Sequence, residues 1–284
     1  MTDHSEDLDP LPAETRVGRT ALRVADLDAT TDFYRNVVGL EVQRRSDGVA
    51  VLGTADAPLL VLEGDADAPE RPASSAGLFH TAFRVPSRAA LGDALARVRE
   101  RWELTGASDH DVSEALYLRD PEGNGVEIYR DFSREAWPRD DDGTVEMGTH
   151  ALDLGVVEAA AAGDATVPTG TDVGHVHLET ASLPTFREFY VDAVGFDVQV
   201  ASPSALFTSA GGYHHHVAAN TWNRRSEPVS GRGLSWFEVV VPEAAALDAL
   251  RARLADAGYA IADAEDGIAV DGPDGVEVRF RTEQ

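Results

Sequence analysis

Apolar and polar positions alternate from Arg19 to Val24, as in a half-buried strand, and the period then changes. Phe33, Tyr34 and Val37 recur at helical spacing between N-cap candidates at Asp26 and Asp28 and a stop at Gly39, which predicts a helix over 29–38. Three short strand-like runs follow, at 41–44, 49–52 and 59–62. The order strand, helix, strands then recurs. A strand at 78–85 leads through Ser87 into a helix over 88–101. Glu114–Leu118 and Val126–Tyr129 then read as a hairpin around Asp120-Pro121-Glu122-Gly123-Asn124-Gly125.

The second half repeats the first. Phe33-Tyr34 with Gly39-Leu40 reappears 156 residues later as Phe189-Tyr190 with Gly195-Phe196. Gly77-Leu78 and Pro86 reappear at the same offset as Gly233-Leu234 and Pro242, and Glu127 reappears 150 residues on as Glu277. The pattern predicts four βαβββ modules at about 16–63, 77–131, 173–222 and 232–281. Residues 1–14 read as a disordered acidic lead, and 133–170, with Asp140-Asp141-Asp142 and an Ala/Gly tract, as a linker in which 145–157 can form a short helix. The domains expected are therefore 15–132 and 171–284.

Composition narrows the function. The formal charge of −26 argues against nucleic acid or an anionic membrane as partner, since both would repel the chain. All basic residues are Arg, with no Lys. An acidic, Ala- and Asp-rich surface fits a halophilic protein, and a high-GC genome gives the same bias. There is no Cys, which excludes disulfides and thiolate metal sites, so a metal would need His, carboxylate or Tyr. No apolar run approaches a membrane span and the start is acidic, so a cytoplasmic location is expected.

Candidate chemistry centres on Gly211-Gly212-Tyr213-His214-His215-His216-Val217, which holds three of the nine histidines. A strand-like run to Trp222 follows it inside the chain, so it does not read as an expression tag. A structural histidine cluster at a sheet edge is the plain alternative.

Four βαβββ modules, Phe-Tyr…Gly-Leu after the first helix and Asp-Pro-x-Gly-Asn-x-x-Glu before a last strand resemble the vicinal oxygen chelate superfamily over nearly the whole chain. That superfamily holds glyoxalases, fosfomycin-resistance transferases, bleomycin-binding proteins and extradiol dioxygenases. Ser108-Asp109-His110 ahead of Glu114-Ala115-Leu116-Tyr117 is most similar to its catechol 2,3-dioxygenase branch. The resemblance implies an α+β fold of four modules paired into two cup-shaped mixed β-sheet barrels with helices outside.

It also implies metal ligands at the centre of first and last strands. The first-strand position falls on Arg19, His80, His175 and Trp236, the last-strand position on Leu60, Glu127, the His214–His216 run and Glu277. If modules two and three pair, one cup collects His80, Glu127, His175 and the triplet. That arrangement requires His80 and His175 to approach within about 3–4 Å. Pairing in chain order would split them between cups.

Two imidazoles and a carboxylate, His80, His175 and Glu127, are the set expected for Fe(II) with positions open for a catecholate and O₂. His214-His215-x-Val-Ala is similar to the segment that carries the family's acid/base histidine, which falls on His215. Strand alternation would put His215 opposite His214 and His216, leaving all three in play. Tyr117, ten residues before Glu127, matches the family's active-site Tyr, and His177 shares a face with His175. His110 is taken as a loop histidine linked to Asp109. The implied activity is extradiol cleavage of a small aromatic diol with O₂, homo-oligomerisation being left open. The alternative is a glyoxalase-like isomerase or thiol transferase on Mn(II), Ni(II) or Zn(II), with a triplet residue such as His216 as fourth ligand. A non-enzymatic binding protein of the bleomycin-resistance type is the remaining option.

Overall fold

A computed structural model describes residues 10–264 and 266–283. Module one comprises β1 (Arg16–Val24), α1 (Leu27–Phe33), β2 (Glu41–Ser46), β3 (Val49–Gly53) and β4 (Pro58–Gly64). Module two comprises β5 (Gly77–Arg84), α2 (Arg88–Arg101), β6 (Gly106–Asp109), β7 (Ser113–Arg119) and β8 (Gly125–Asp131). The connecting segment adds β9 (His150–Ala151) and α3 (Leu154–Ala159). Module three is β10 (Asp172–Glu179), α4 (Leu183–Arg187), β11 (Asp197–Ser202), β12 (Ala205–Ser209) and β13 (Val217–Asn220). Module four is β14 (Gly233–Val241), α5 (Ala244–Asp256), β15 (Ile261–Ala264), β16 (Gly267–Asp271) and β17 (Glu277–Thr282).

The described strands form two mixed sheets, ordered β15-β16-β17-β14-β1-β4-β3-β2 and β11-β12-β13-β10-β5-β8-β7-β6-β9. Modules one and four build the first and modules two and three the second. The sheets therefore do not follow the division into 15–132 and 171–284. Both are open cups with free edges and not closed barrels. Antiparallel pairing of β1 with β14, and of β5 with β10, joins the modules in each sheet.

Alternation sends one face of each strand into a core shared by both sheets and the helices. Val173, Val176 and Leu178 of β10 and Val126 and Ile128 of β8 meet Phe83, Leu91 and Leu95 there. One anchoring device repeats with the modules. α1 and α4 each run into a π-turn, at Tyr34–Val38 and Glu188–Ala193, followed by Gly39 and Gly195 with φ near 95°. The buried Arg97 donates to Val37 O, Val38 O and Asp164 O, and Arg253, 156 residues later, donates to Val194 O. Removing these donors leaves carbonyls without partners. Arg97→Ala is therefore expected to cost about 2–4 kcal/mol in denaturant unfolding, and an unchanged midpoint would contradict this.

Two expectations need correction. Residues 1–9 lie outside the described residues, but the end of the presumed disordered lead is ordered: Leu11 is buried and its N–H donates to Gly195 O. Nor is 133–170 a plain linker. β9 pairs with β6, the buried Trp137, Val145 and Tyr213 pack together, and Asp93 accepts from the backbone of Ala162 and Gly163. Inside it Arg134–Ala136 form a 3-10 turn, and the α-helix runs only from Leu154 to Ala159. Gly92 lets that segment approach α2, since a Cβ there would stand 2.5 Å from Val157 O.

Candidate metal centre and its cavity

The concave face of the second sheet carries the polar residues. β8 presents Glu127, Tyr129 and Asp131 at alternate positions, β10 presents His175 and His177, and β7 sets Tyr117 opposite Glu127. The Asp120–Asn124 turn fixes that register: Asp120 Oδ1 accepts from the N–H groups of Glu122 and Asn124, and Gly123 takes φ 85°. Two bulges adjust the central pair. His177 pairs with His80 but Leu178 with Leu78, so Phe79 is the extra residue on β5. Gly174 is the extra residue on β10. The first bulge lets neighbouring Phe79 and His80 both line the cup.

His80 Nε2, His175 Nε2 and Glu127 Oε2 converge in a triangle with sides of 3.3, 3.0 and 3.2 Å. The separation demanded of His80 and His175 is met. Donors at right angles around a metal at about 2.1–2.2 Å stand about 3.0–3.1 Å apart, and tetrahedral ones about 3.4–3.6 Å, so the triangle has the size of one face of a coordination shell. One proton on one ring cannot satisfy three acceptor atoms that face each other. A divalent cation can.

Electrostatics agree. Burial holds His80 and His175 well below the usual histidine range, with neighbouring histidines reinforcing the shift, so both rings are neutral and fit to ligate. Burial also pushes Glu127 up to about 7, a cost that a cation would relieve. His175 Nδ1 has no hydrogen-bond partner among the described residues, and packing orients the ring, with the Tyr129 and His215 centroids at 4.9 and 4.0 Å.

The triplet divides. It precedes β13, so strand alternation does not govern it, and His214 and His215 face each other with Nδ1 atoms 2.7 Å apart. Both come near His175 as a second group of potential ligands. His216 points elsewhere: its Nδ1 accepts from Ala210 N–H and its ring stacks on Tyr213. His177 Nε2 accepts from Asn220, and its ring meets His80, Phe79 and Trp222.

His110, assigned above to its own loop, belongs to the site. Its Nδ1 donates to Gly148 O, leaving Nε2 to accept from the Tyr117 hydroxyl at 2.7 Å. Burial, with Glu127 beside it, holds the Tyr117 phenol well above its ordinary value. A cavity of about 460 Å³ opens over these groups, walled by Phe79, Val112, Met147, Val200, Phe207 and Trp222. Met147, Gly148 and Thr149 of the connecting segment form one side of it.

The first sheet has no such set among the described residues. Trp236 fills its cup, with Arg279 3.9 Å from the ring centroid and Glu63 accepting from the indole N–H. Glu277 is paired with Arg279, and Arg19 with the buried Glu238.

Residues 16–128 match the Glyoxalase/Bleomycin resistance protein/Dioxygenase superfamily. Over 274 residues, 92% of this chain and 94% of its relative, the sequence is 42% identical to a Bacillus subtilis (strain 168) protein named catechol-2,3-dioxygenase. The chain belongs to this superfamily. A second member, from Rhodococcus globerulus and named biphenyl-2,3-diol 1,2-dioxygenase 3, is 33% identical over 120 residues, 41% of this chain and 63% of that one. Superfamily architecture extends to structures with little sequence in common. A Bacillus subtilis crystal structure aligns over 96% of this chain and 86% of its own, with TM-score 0.65 and 13% identity. Glyoxalase I from Zea mays aligns over 94% and 92%, with TM-score 0.57 and 14% identity. Both show the fold alone.

Among the described residues, no helix is long and apolar enough to cross a membrane. Gly174 leaves room for a neighbouring side chain: a Cβ there would stand 1.8 Å from the Tyr129 hydroxyl. Gly174→Ala is expected to displace Tyr129 and His175 and to cost about 1–3 kcal/mol in thermal unfolding. Wild-type stability with an unmoved Tyr129 would contradict that.

Proposed function

We propose that the protein is an extradiol dioxygenase that cleaves a small aromatic diol with O₂, using Fe(II) held by His80, His175 and Glu127. The convergence of these three donors in one buried triangle carries the reading, and the two relatives named as diol dioxygenases support it. Fe(II) with three protein ligands would supply three further positions, enough for two diol oxygens and O₂, and the redox link between them.

The remaining residues prepare the substrate. Phe79, Phe207 and Trp222 give an aromatic ring apolar walls. The Tyr117–His110 pair places a hydroxyl at the cavity wall, within reach of a substrate oxygen. His215 Nε2 serves as proton carrier, taking a proton from a diol hydroxyl and returning it as the ring opens. Both atoms of O₂ end in a ring-opened semialdehyde acid.

A four-ligand isomerase site would need a triplet histidine beside His80 and Glu127. His214 and His215 group with His175 alone, which favours three ligands. Anaerobic loading with Fe(II), then addition of catechol and isotopically labelled O₂, should give a ring-opened product bearing two labelled atoms. Turnover of a hemithioacetal without O₂ would refute the reading in favour of the isomerase.

Proton linkage gives a second test. Glu127 is raised to about 7 while the ligand imidazoles are neutral, so below that pH metal must displace the Glu127 proton. Zn(II) affinity should fall as pH drops through about 7, with proton release approaching one per ion, measured by titration calorimetry in buffers of different ionisation enthalpy. Binding without proton release at pH 6 would contradict the assignment of Glu127.

A further inference from the structure

His214 has no part in the chemistry above, yet it is 1% exposed, against 8% for His215 and 7% for His216. Its two nitrogens are both engaged. Nε2 lies 3.1 Å from Asp131 Oδ1, and Nδ1 lies 2.7 Å from His215 Nδ1. The other oxygen of Asp131 accepts from the Tyr213 hydroxyl at 3.0 Å and from Arg84 Nη1 at 3.2 Å. Tyr213 in turn accepts from the Tyr129 hydroxyl at 2.7 Å, since its own proton is committed to Asp131.

These contacts assign the protons. Asp131, with donors on Oδ2, is an acceptor only, so His214 Nε2 carries a hydrogen. With its one ring hydrogen on Nε2, His214 has a bare Nδ1, and a 2.7 Å contact between two ring nitrogens needs one hydrogen between them. That hydrogen belongs to His215 Nδ1. His215 Nε2, without a hydrogen-bond partner among the described residues, is left as the bare nitrogen of a ring that lines the cavity.

We infer that Asp131 and His214 are positioning residues: a buried Asp131–His214–His215 chain locks His215 in the Nδ1–H tautomer and presents its Nε2 lone pair to the diol. The inference rests on the dioxygenase reading only where it assigns His215 to the substrate; the tautomers follow from this chain's own contacts. It also explains why the triplet is led by Tyr213, which orients Asp131, and why β10 needs a glycine where Tyr129 passes.

The test uses the full-length protein labelled with ¹⁵N-histidine, without metal and with Zn(II), and reads tautomers from long-range nitrogen–proton couplings. His214 should appear as Nε2–H and His215 as Nδ1–H. His215 as Nε2–H, or His214 protonated on both nitrogens, would overturn the inference. Asp131→Asn should abolish the single tautomer of His215 and lower kcat for catechol about 10–100-fold, with KM and iron content within about twofold, and Asp131→Glu should recover part of the loss. Tyr213→Phe, which removes one donor to Asp131, should act in the same direction by less. An unchanged kcat in Asp131→Asn, or a loss that tracks iron content, would also overturn it. If the parent shows the expected tautomers but cleaves no diol, the dioxygenase reading fails and the hydrogen-bond assignment stands.

Discussion

Glu127→Ala and His175→Ala are each expected to abolish stoichiometric iron binding and, with it, ring cleavage, while leaving a folded protein. Each removes one vertex of a triangle with sides of 3.0–3.3 Å, and two remaining donors cannot hold a divalent ion against water. The loss of turnover should exceed the roughly 10–100-fold that removal of an outer partner of a metal ligand costs. The fold should survive because the substitutions relieve a buried carboxylate and a ring nitrogen with no partner. Glu277→Ala is the control. That carboxylate occupies the corresponding last strand of the other sheet, where it pairs with Arg279 beside a cup filled by Trp236. Iron content and turnover should not change there. Retained iron in Glu127→Ala, or lost iron in Glu277→Ala, would contradict the assignment.

The second large effect separates the acid/base residue from the ligands. His215→Phe should keep iron and still bind catechol but lose turnover by about 10²–10⁴-fold, the usual contribution of a positioned proton carrier. A phenyl ring fits the site, since His215 packs between the His175 and Phe207 rings, with centroids 4.0 and 5.1 Å away. His216→Phe should be nearly silent in turnover, because His216 accepts from Ala210 and stacks on Tyr213 away from the triangle. Metal content and single-turnover rates for the two variants decide the matter. Loss of iron in His215→Phe would make that residue a ligand.

Much of the fold was legible because its modules repeat. The 156-residue offset that relates Phe33-Tyr34 to Phe189-Tyr190 also relates Arg97 to Arg253, which perform the same carbonyl-binding task. The convergence of His80, Glu127 and His175 was legible from their equivalent positions in the repeated modules, which hold although bulges at Phe79 and Gly174 interrupt β5 and β10. Residues outside that regularity were not. His214 to His216 precede β13, so the period of two that would separate them by face does not apply. His110 looked like a loop residue because its partners, Tyr117 and Gly148, come from a hairpin and from a segment that reads as a linker. That segment deceives because its anchors, Trp137, Val145 and Val157, are isolated apolar residues among Asp, Gly and Ala, with no period to announce burial. Asp131, at the end of β8, carries no motif of its own, although the alternation Glu127, Tyr129, Asp131 places it on the same face.

The central claim is that one three-ligand site lies in the sheet built by modules two and three. A crystal of the protein soaked anaerobically in Fe(II), with diffraction recorded on both sides of the iron absorption edge, tests it most directly. The expected result is one anomalous peak about 2.1–2.2 Å from His80 Nε2, His175 Nε2 and a Glu127 oxygen, with none beside Trp236 or Glu277. A peak coordinated by His214, His215 or His216, or one in the other sheet, would contradict the account.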